Sequence, residues 1–403
     1  MKPAARLRSI PLYPFARWNL EVNRVRQHGT DVIRLDMGNP DLPPPPEVIA
    51  ALCGSAEDHN HHGYPGYHGL FALRKAIADY YARRFGVILD PETEILPLIG
   101  SKEGIINIAL AFLDPGDVAL IPDPGYAPYT MGTLLAGAQA YRVPLRASQG
   151  FLPDLDAIPT AVAQQATLMW LNYPNNPTGT MADLEFFEHA VRFARVHDIL
   201  LCHDAPYSDV TYDDYTAPSI LQVPGAKEVA VEFNSLSKTF NMAGWRVGMA
   251  VGNAASLKLL ALLKSNIDSG IFFPLQEAAV RAFSIDQQWI AARNAIYHTR
   301  LTSIVAALHA FGIDANIPPA TLYVWAKVPD GWTSERFALS LLNRTGVAVA
   351  PGSFFGPGGE GYIRVSITTA DERVQQAGQR LRRAARRGVS HRSCKLRAGW
   401  DCT

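Results

Sequence analysis

The chain is expected to fold as an α/β protein, a mostly parallel sheet between helices with a smaller α+β unit beside it. Three observations predict this. Short apolar runs of strand length, Val118–Ile121, Leu168–Leu171, Ile199–Cys202 and Val229–Phe233, recur with helical stretches or turn signals between them, the pattern of strands buried on both faces. Polar residues with chemistry to offer follow those runs directly, where open α/β sheets place their ligands. The 403 residues also exceed what one core usually holds, so two or more units are expected.

The elements can be taken in chain order. Pro43–Pro46 is the one low-complexity run and suits an extended linker. Leu70, Leu73, Ile77, Tyr80 and Tyr81 follow helical spacing, with Arg74, Lys75, Asp79 and Arg83 placed to face water. Ile105–Phe112 is apolar almost all round, so its helix should lie between layers. Trp289–Phe311 reads as one long helix, followed by strands at Leu322–Val328, Val347–Ala350 and Tyr362–Ile367. The expected division is residues 1–46 as an N-terminal arm joining the small unit, 47–285 as the large unit and 286–389 as the small one. Residues 390–403 lack periodicity and are expected to be a disordered tail.

Composition narrows the function. Lys+Arg 37 against Asp+Glu 37 leaves no net charge, so no global field favours nucleic acid or an anionic membrane. Cys53, Cys202, Cys394 and Cys402 form no C-x-x-C pair, which argues against a zinc site or disulfide framework and fits a reducing cytoplasm. The apolar stretch after Arg6 and Arg8 is broken by Pro11 and Pro14, unlike a signal peptide, and no run nears the roughly 20 apolar residues of a membrane helix. His59, His61 and His62 crowd one loop but lack the spacing of a helical metal motif, and no metal is expected. Gly352 to Gly361 is glycine-rich yet does not run from strand into helix, so a dinucleotide is not expected either.

Pyridoxal phosphate asks four services of a protein: a lysine imine, an acid on the pyridine nitrogen, donors around the phosphate, and a flat surface against the ring. This sequence offers all four near strand ends. The string Ser235-Leu236-Ser237-Lys238 follows the strand at Val229–Phe233, and Arg246 closes the same segment. Alone, Lys238 reads as a surface lysine. Beside Ser235, Ser237 and Arg246, all able to donate to a phosphate, it reads as the amine that holds the cofactor, its pKa lowered by positive neighbours. Asp204 ends another strand; it is either a turn former or the carboxylate that keeps the pyridine nitrogen protonated. Tyr207 can reach the ring's phenolic oxygen.

Asn176 lies in Asn175-Asn176-Pro177-Thr178-Gly179, an ordinary turn by itself, and would supply a second donor to that oxygen. Ser101 and Lys102 open the apolar helix, where free N–H groups and the helix dipole point at an anion; a plain N-cap at Ser101 competes with that reading. Tyr126 has the flat face to stack on the ring, or is structural. Arg364 sits inside a strand pattern and is either on the solvent face or the clamp for a substrate α-carboxylate.

Taken together, Asp36–Pro43, Tyr64–Gly69, Leu98–Gly104, Asp123–Tyr129, Asn172–Gly179, Ser235–Gly248 and Gly359–Ser366 resemble the fold-type I, class I/II aminotransferases over nearly the whole chain. Within that family the chain is most similar to the bacterial LL-diaminopimelate aminotransferases. The resemblance implies a large domain with a seven-stranded mixed sheet, a small domain from both chain ends, and a homodimer with the site at its interface. It assigns Lys238, Asp204, Tyr207, Asn176, Tyr126, Ser101, Lys102, Ser235, Ser237 and Arg246 to the cofactor, with Lys238, Asp204 and Tyr207 catalytic. Gly38, Asn176 and Arg364, with Tyr13 from the N-terminal arm, would bind substrate, and Tyr64 would reach the neighbouring subunit's cofactor phosphate.

The implied reaction is transamination between an L-amino acid and a 2-oxo acid, LL-diaminopimelate with 2-oxoglutarate. Lys264–Phe273 offers Asn266 where some relatives use arginine for a distal carboxylate, which argues against aspartate specificity. Alanine, aspartate or aromatic donors and a β-lyase activity on the same fold stay open. A DNA-binding regulator built on this domain is not expected, since no long segment precedes the first catalytic string.

Overall fold

The computed structural model describes residues 4–8 and 10–386. The tail at 390–403, with Cys394 and Cys402, lies outside the described residues. At the centre stands a seven-stranded sheet in the order Ile95–Leu98, Gly248–Gly252, Ala230–Ser235, Leu200–Asp204, Ala166–Asn172, Val118–Asp123, Gln139–Pro144. Only Gly248–Gly252 runs against its neighbours; the remaining pairings are parallel. All four strand runs expected from the sequence are present. Ile95–Leu98, Gln139–Pro144 and Gly248–Gly252 were not expected as strands, because prolines, polar residues and glycines interrupt their apolar pattern.

Side chains alternate across this sheet, as a two-residue period requires. Met169, Leu171 and Leu201 face one core together with Leu73, Ile77, Tyr81 and Phe187. Leu168, Trp170, Cys202, Val231 and Phe233 face another with Ile105, Ile108, Tyr129 and Leu260. The helix Ser101–Phe112 is thereby enclosed between sheet and outer helices, as its all-round apolarity predicts. The helix Phe71–Phe85 ends on Gly86 in the left-handed conformation, and its Lys75 and Arg83 face water. Arg74 does not: its guanidinium folds back to donate to the Pro91 carbonyl at 2.6 Å and to pair with Glu92.

A third core is assembled from both chain ends. Trp18, Val22, Ile33 and Leu35 pack with Tyr297, Leu301, Leu308, Tyr323, Val324, Phe337, Val365 and Leu381, and Tyr207 and Val210 join them from the other unit. Its antiparallel sheet runs Ala350–Pro351, Tyr362–Ser366, Tyr323–Lys327. The single strand expected at Val347–Ala350 is two short ones: Val347–Ala348 pairs in parallel with Ile33–Arg34, and Ala350–Pro351 turns into the other sheet. Pro46 is likewise not in the linker but opens the helix Pro46–Glu57, where a missing N–H costs nothing.

The long helix Gln287–Phe311 carries the tie between the ends. Arg300, 4% exposed, donates to Asp41 near the N-terminus, to Asp371 at the start of the last helix and to the Ile367 carbonyl. Arg300 is buried, but Asp371 is 61% exposed and Asp41 partly so, and water can serve both carboxylates once the guanidinium is gone. Arg300→Met is therefore expected to lower unfolding stability by about 1 kcal/mol, read as a drop in the urea midpoint, with Tyr297 and the third core losing protection first in hydrogen exchange. An unchanged midpoint would mean the tie contributes nothing.

Candidate functional site

The carboxyl ends of the parallel strands and one edge of the third core enclose a pocket of about 430 Å³. Tyr13, Gly38, Ser101, Lys102, Tyr126, Asn176, Asp204, Tyr207, Ser235, Ser237, Lys238, Arg246 and Arg364 all line it. Of the residues singled out in the sequence, Tyr64 and Asn266 are absent from this lining. Tyr64 is 90% exposed in the loop before its helix. Asn266 turns its amide to the Leu262 carbonyl at 2.9 Å on the outer face, so it does not recognise a distal substrate group within its own chain.

Asp204 ends a buried strand, and the Tyr129 hydroxyl donates to its Oδ2 at 2.7 Å. Its Oδ1 is buried with no hydrogen-bond partner. Burial pushes this carboxyl up to about 6, against the Tyr129 hydrogen bond and the nearby His203 that pull it down. A buried carboxyl oxygen left bare at the pocket floor is open to a hydrogen-bond donor from a ligand. His203 and Glu232 face each other in register on adjacent strands, both fully buried, with the imidazole between Glu232 and the Tyr173 carbonyl. Sequence reading passed over this pair, and no motif marks it.

Lys238 lies in the one-turn helix Leu236–Thr239, capped by Ser235, whose Oγ accepts from the Ser237 N–H at 3.1 Å and donates to the Ser237 hydroxyl at 2.8 Å. Its Nζ donates to the Gly38 carbonyl. Burial lowers the Lys238 pKa; the Tyr323 hydroxyl opposes this, while Arg364 and Arg246 add to it. Arg293, buried on the long helix, donates to the carbonyls of Lys238 and Thr239 and so fixes the lysine's backbone.

Anion-binding groups gather at one end. Gly100, not Ser101, is the N-cap residue of the helix Ser101–Phe112, and no side chain caps it, leaving the Ser101 hydroxyl free to face the pocket. Gly100 has φ +75°, and a Cβ there would stand 2.0 Å from Arg246 Nη2, so only glycine lets the guanidinium reach this helix end. Arg246 is itself left-handed at φ 58° and is steadied by the Ala243 carbonyl at 2.8 Å.

Arg364 is buried, which removes the solvent-facing alternative. Its Nη1 donates to Asn176 Oδ1 at 2.7 Å and its Nη2 to the Asp36 carbonyl at 2.8 Å. The guanidinium lies 4.0 Å over the Tyr323 ring and 4.6 Å from that of Phe355. Each terminal nitrogen keeps a second N–H, so a carboxylate can be held end-on. Tyr126 packs edge-on against Tyr129, its ring lining the pocket wall.

Phe15, Asn172, Tyr323, Phe354 and Phe355 also line the pocket and were not singled out from the sequence. Only Asn172 stood next to a recognisable string, and it accepts the Asn176 N–H while donating to the Asp204 carbonyl. The donor set fits pyridoxal phosphate: Asp204 Oδ1 for a protonated ring nitrogen, Lys238 for an aldehyde, and Ser101, Ser235, Ser237 and Arg246 for a phosphate.

Known proteins agree with this chemistry. A protein named LL-diaminopimelate aminotransferase from Moorella thermoacetica is 51% identical over 383 residues, covering 95% of this chain and 98% of its own. One of the same name from Dehalococcoides mccartyi is 48% identical over 94% of this chain and 98% of its own. Among solved structures, substrate-bound BacF from Bacillus subtilis superposes with a TM-score of 0.91 at 37% identity, over 96% of this chain and 98% of that one. An aspartate aminotransferase variant from Thermus thermophilus gives 0.89 at 27% identity, over 95% and 99%. Members of the matching family use pyridoxal phosphate. Residues 30–381 match the family described as aminotransferase class I and II, and the chain belongs to it, a fold-type I transaminase.

Proposed function

We propose that this enzyme moves the amino group of LL-diaminopimelate to or from 2-oxoglutarate, using pyridoxal phosphate held by Lys238. The observation that carries the reading is the convergence of a bare Asp204 Oδ1, the buried Lys238 amine and the Arg364 guanidinium in one pocket. The substrate choice rests on relatives of that name at 48–51% identity over nearly the full chain.

Bound pyridoxal phosphate supplies an electron sink for the α-carbon of an amino acid. Everything else falls to the chain. Arg364 holds the α-carboxylate and thereby fixes which bond of the α-carbon faces Lys238. With its pKa lowered by burial, Lys238 has a larger share of neutral amine, able to accept the α-proton and return it elsewhere. Asp204 would keep a proton on the ring nitrogen. Tyr207 and Asn176 would donate to the ring's phenolic oxygen, and Ser101, Ser235, Ser237, Arg246 and the first N–H groups of the helix Ser101–Phe112 would hold the phosphate, with Lys102 adding positive charge at the rim. Tyr126 covers the ring face, while Gly38 and Tyr13 close on the substrate.

The reading includes a homodimer. Tyr64 is exposed among other uncovered apolar side chains, Tyr67, Phe71, Ile267 and Phe272, and serves a cofactor only if supplied to a second copy. It also includes a cytoplasmic setting, which the free thiols of Cys53 and Cys202 suit, and a division into a large unit at 47–285 and a small one from both ends, which the separate third core supports.

A half-reaction screen tests the substrate. Purified enzyme loaded with cofactor is expected to lose its visible cofactor band rapidly with LL-diaminopimelate and slowly with alanine, aspartate or phenylalanine. Rapid conversion by alanine or phenylalanine and none by LL-diaminopimelate would reassign the substrate and leave transamination standing.

Cofactor retention should depend on pH through Asp204. In the free site its carboxyl titrates near 6; a cation opposite Oδ1 lowers that value, so affinity is full above about pH 6 and weakens as the pH falls through it, by about tenfold per unit at most. Asp204→Asn should flatten this dependence and cut turnover by about 10²-fold. Equal retention by the parent at pH 7.5 and 5 would contradict the role.

Tyr64→Phe should weaken cofactor retention without changing the folded spectrum. Full activity of a monomer in gel filtration would overturn the shared site.

A further inference from the structure

The third core sends one hydroxyl into the pocket. Tyr323, on the strand Tyr323–Lys327, is 2% exposed, and its OH lies 2.8 Å from that of Tyr207. The same ring carries the Arg364 guanidinium at 4.0 Å. Gly38 is shaped around it, since a Cβ on that residue would stand 1.9 Å from the Tyr323 hydroxyl oxygen. The Gly38 carbonyl in turn accepts from Lys238. One side chain thus touches the Tyr207 hydroxyl, the carboxylate clamp and the backbone that holds the lysine.

Charge follows geometry here. Burial alone would raise the Tyr323 phenol, but Arg364, Lys238 and the Tyr207 hydrogen bond bring it below its ordinary value. Tyr207 moves the other way, raised by burial and by Tyr323. Either hydroxyl can supply the proton of the 2.8 Å hydrogen bond they share, and the Arg364 charge over the Tyr323 ring bears on which one does. A carboxylate arriving at Arg364 changes that charge, and through the shared hydrogen bond the change reaches the Tyr207 hydroxyl.

We propose that Tyr323 is a positioning residue for the transamination site, coupling occupation of the Arg364 clamp to the direction of the Tyr207 hydroxyl. The inference rests on the transaminase reading. Its consequence is that the ring-oxygen donor is committed only when a carboxylate is in place, so amines lacking one would be processed poorly beyond their weaker binding.

Tyr323→Phe keeps the ring under Arg364 and removes the hydroxyl. Compared with the parent, KM for the amino acid is expected to stay within about twofold while kcat falls about fivefold, the worth of one net hydrogen bond. Tyr323→Leu, which also removes the ring, should raise KM about fivefold further. The decisive readout is a cycle with Tyr207→Phe, following the pH midpoint of the visible cofactor band with and without a non-reactive carboxylate such as maleate. In the parent the carboxylate should shift that midpoint more than in Tyr207→Phe, Tyr323→Phe or the double variant, where only the direct charge of Arg364 on Lys238 remains, and the double variant should match Tyr207→Phe in both midpoint and kcat. A Tyr323→Phe enzyme with the parent's shift and kcat would sink this inference alone, as would additive losses in the double variant. A parent that shows no cofactor band or no amino-acid conversion would sink the transaminase reading with it. Circular dichroism and melting of the cofactor-free variants separate a folding defect from the expected result: a lowered melting point accompanied by an unmoved carboxylate shift counts against the proposal.

Discussion

The site depends on charges that are held by neutral partners. Asp204 is fixed by the Tyr129 hydroxyl, Lys238 by the Gly38 carbonyl, Arg246 by the Ala243 carbonyl, and Arg364 by Asn176 and the Asp36 carbonyl. Among the described residues none of the four forms an ion pair within the chain. Each charge is oriented, yet none is cancelled. For the buried Asp204 and Arg364 such a state is costly to the folded protein, whereas Arg246 stays exposed, and a ligand that brings a ring cation and a carboxylate offsets both costs while its phosphate meets Arg246. Such preorganised groups do not have to turn when charge develops on a bound substrate.

Two features of the fold allow four uncancelled charges to sit so close. Parallel strands end side by side, so Asn172, Asp204 and Ser235 come to one rim with their backbones already paired in the sheet. The opposite rim is supplied by the third core, whose strands bring Tyr323 and Arg364 face to face across their antiparallel pairing. Arg364 stands in register with Trp325, two residues from Tyr323, which puts guanidinium and phenol on one face. Buried arginines elsewhere brace this frame: Arg293 clamps the lysine turn, and Arg300 ties the chain ends beneath it.

How much of this was legible in the sequence depended on the kind of signal. Apolar runs between turn signals marked the central parallel strands, because burial on both faces demands near-continuous apolarity. Edge and interrupted strands such as Gln139–Pro144 carried no such mark, since one face is wet. Cofactor-type residues were visible because their chemistry ties them to short strings beside strand ends. Tyr323 was not, as an aromatic in an apolar strand looks like core, and neither were Phe15 in the helix Pro14–Gln27 and Phe355 in the turn Gly352–Phe355; each is in fact half core and half site. Asn266 shows the limit of position along the chain, which suggested a donor to the substrate: within its own chain the side chain bonds the Leu262 carbonyl just past a helix end and does not line the pocket.

Selectivity must come from the rim rather than the floor. Groups that hold ring and phosphate see the same ligand whatever the amino acid, so they cannot discriminate between donors. With the α-carboxylate at Arg364 as proposed, the variable part of a substrate would extend toward Tyr13, Phe15 and Phe354, which the N-terminal segment and a turn packed on it bring to the pocket wall. Phe15 and Phe354 are apolar, but Tyr13 carries a hydroxyl that burial holds protonated, and the Lys102 ammonium lies 5.5 Å above its ring. A mixed rim of this kind accepts an apolar methylene chain along its walls and a polar group at its end. Tyr13 is 46% exposed and Lys102 is exposed as well, so water serves both groups when a short substrate leaves them, and the rim favours a long, polar-ended substrate through the contacts it adds rather than through groups left unmet.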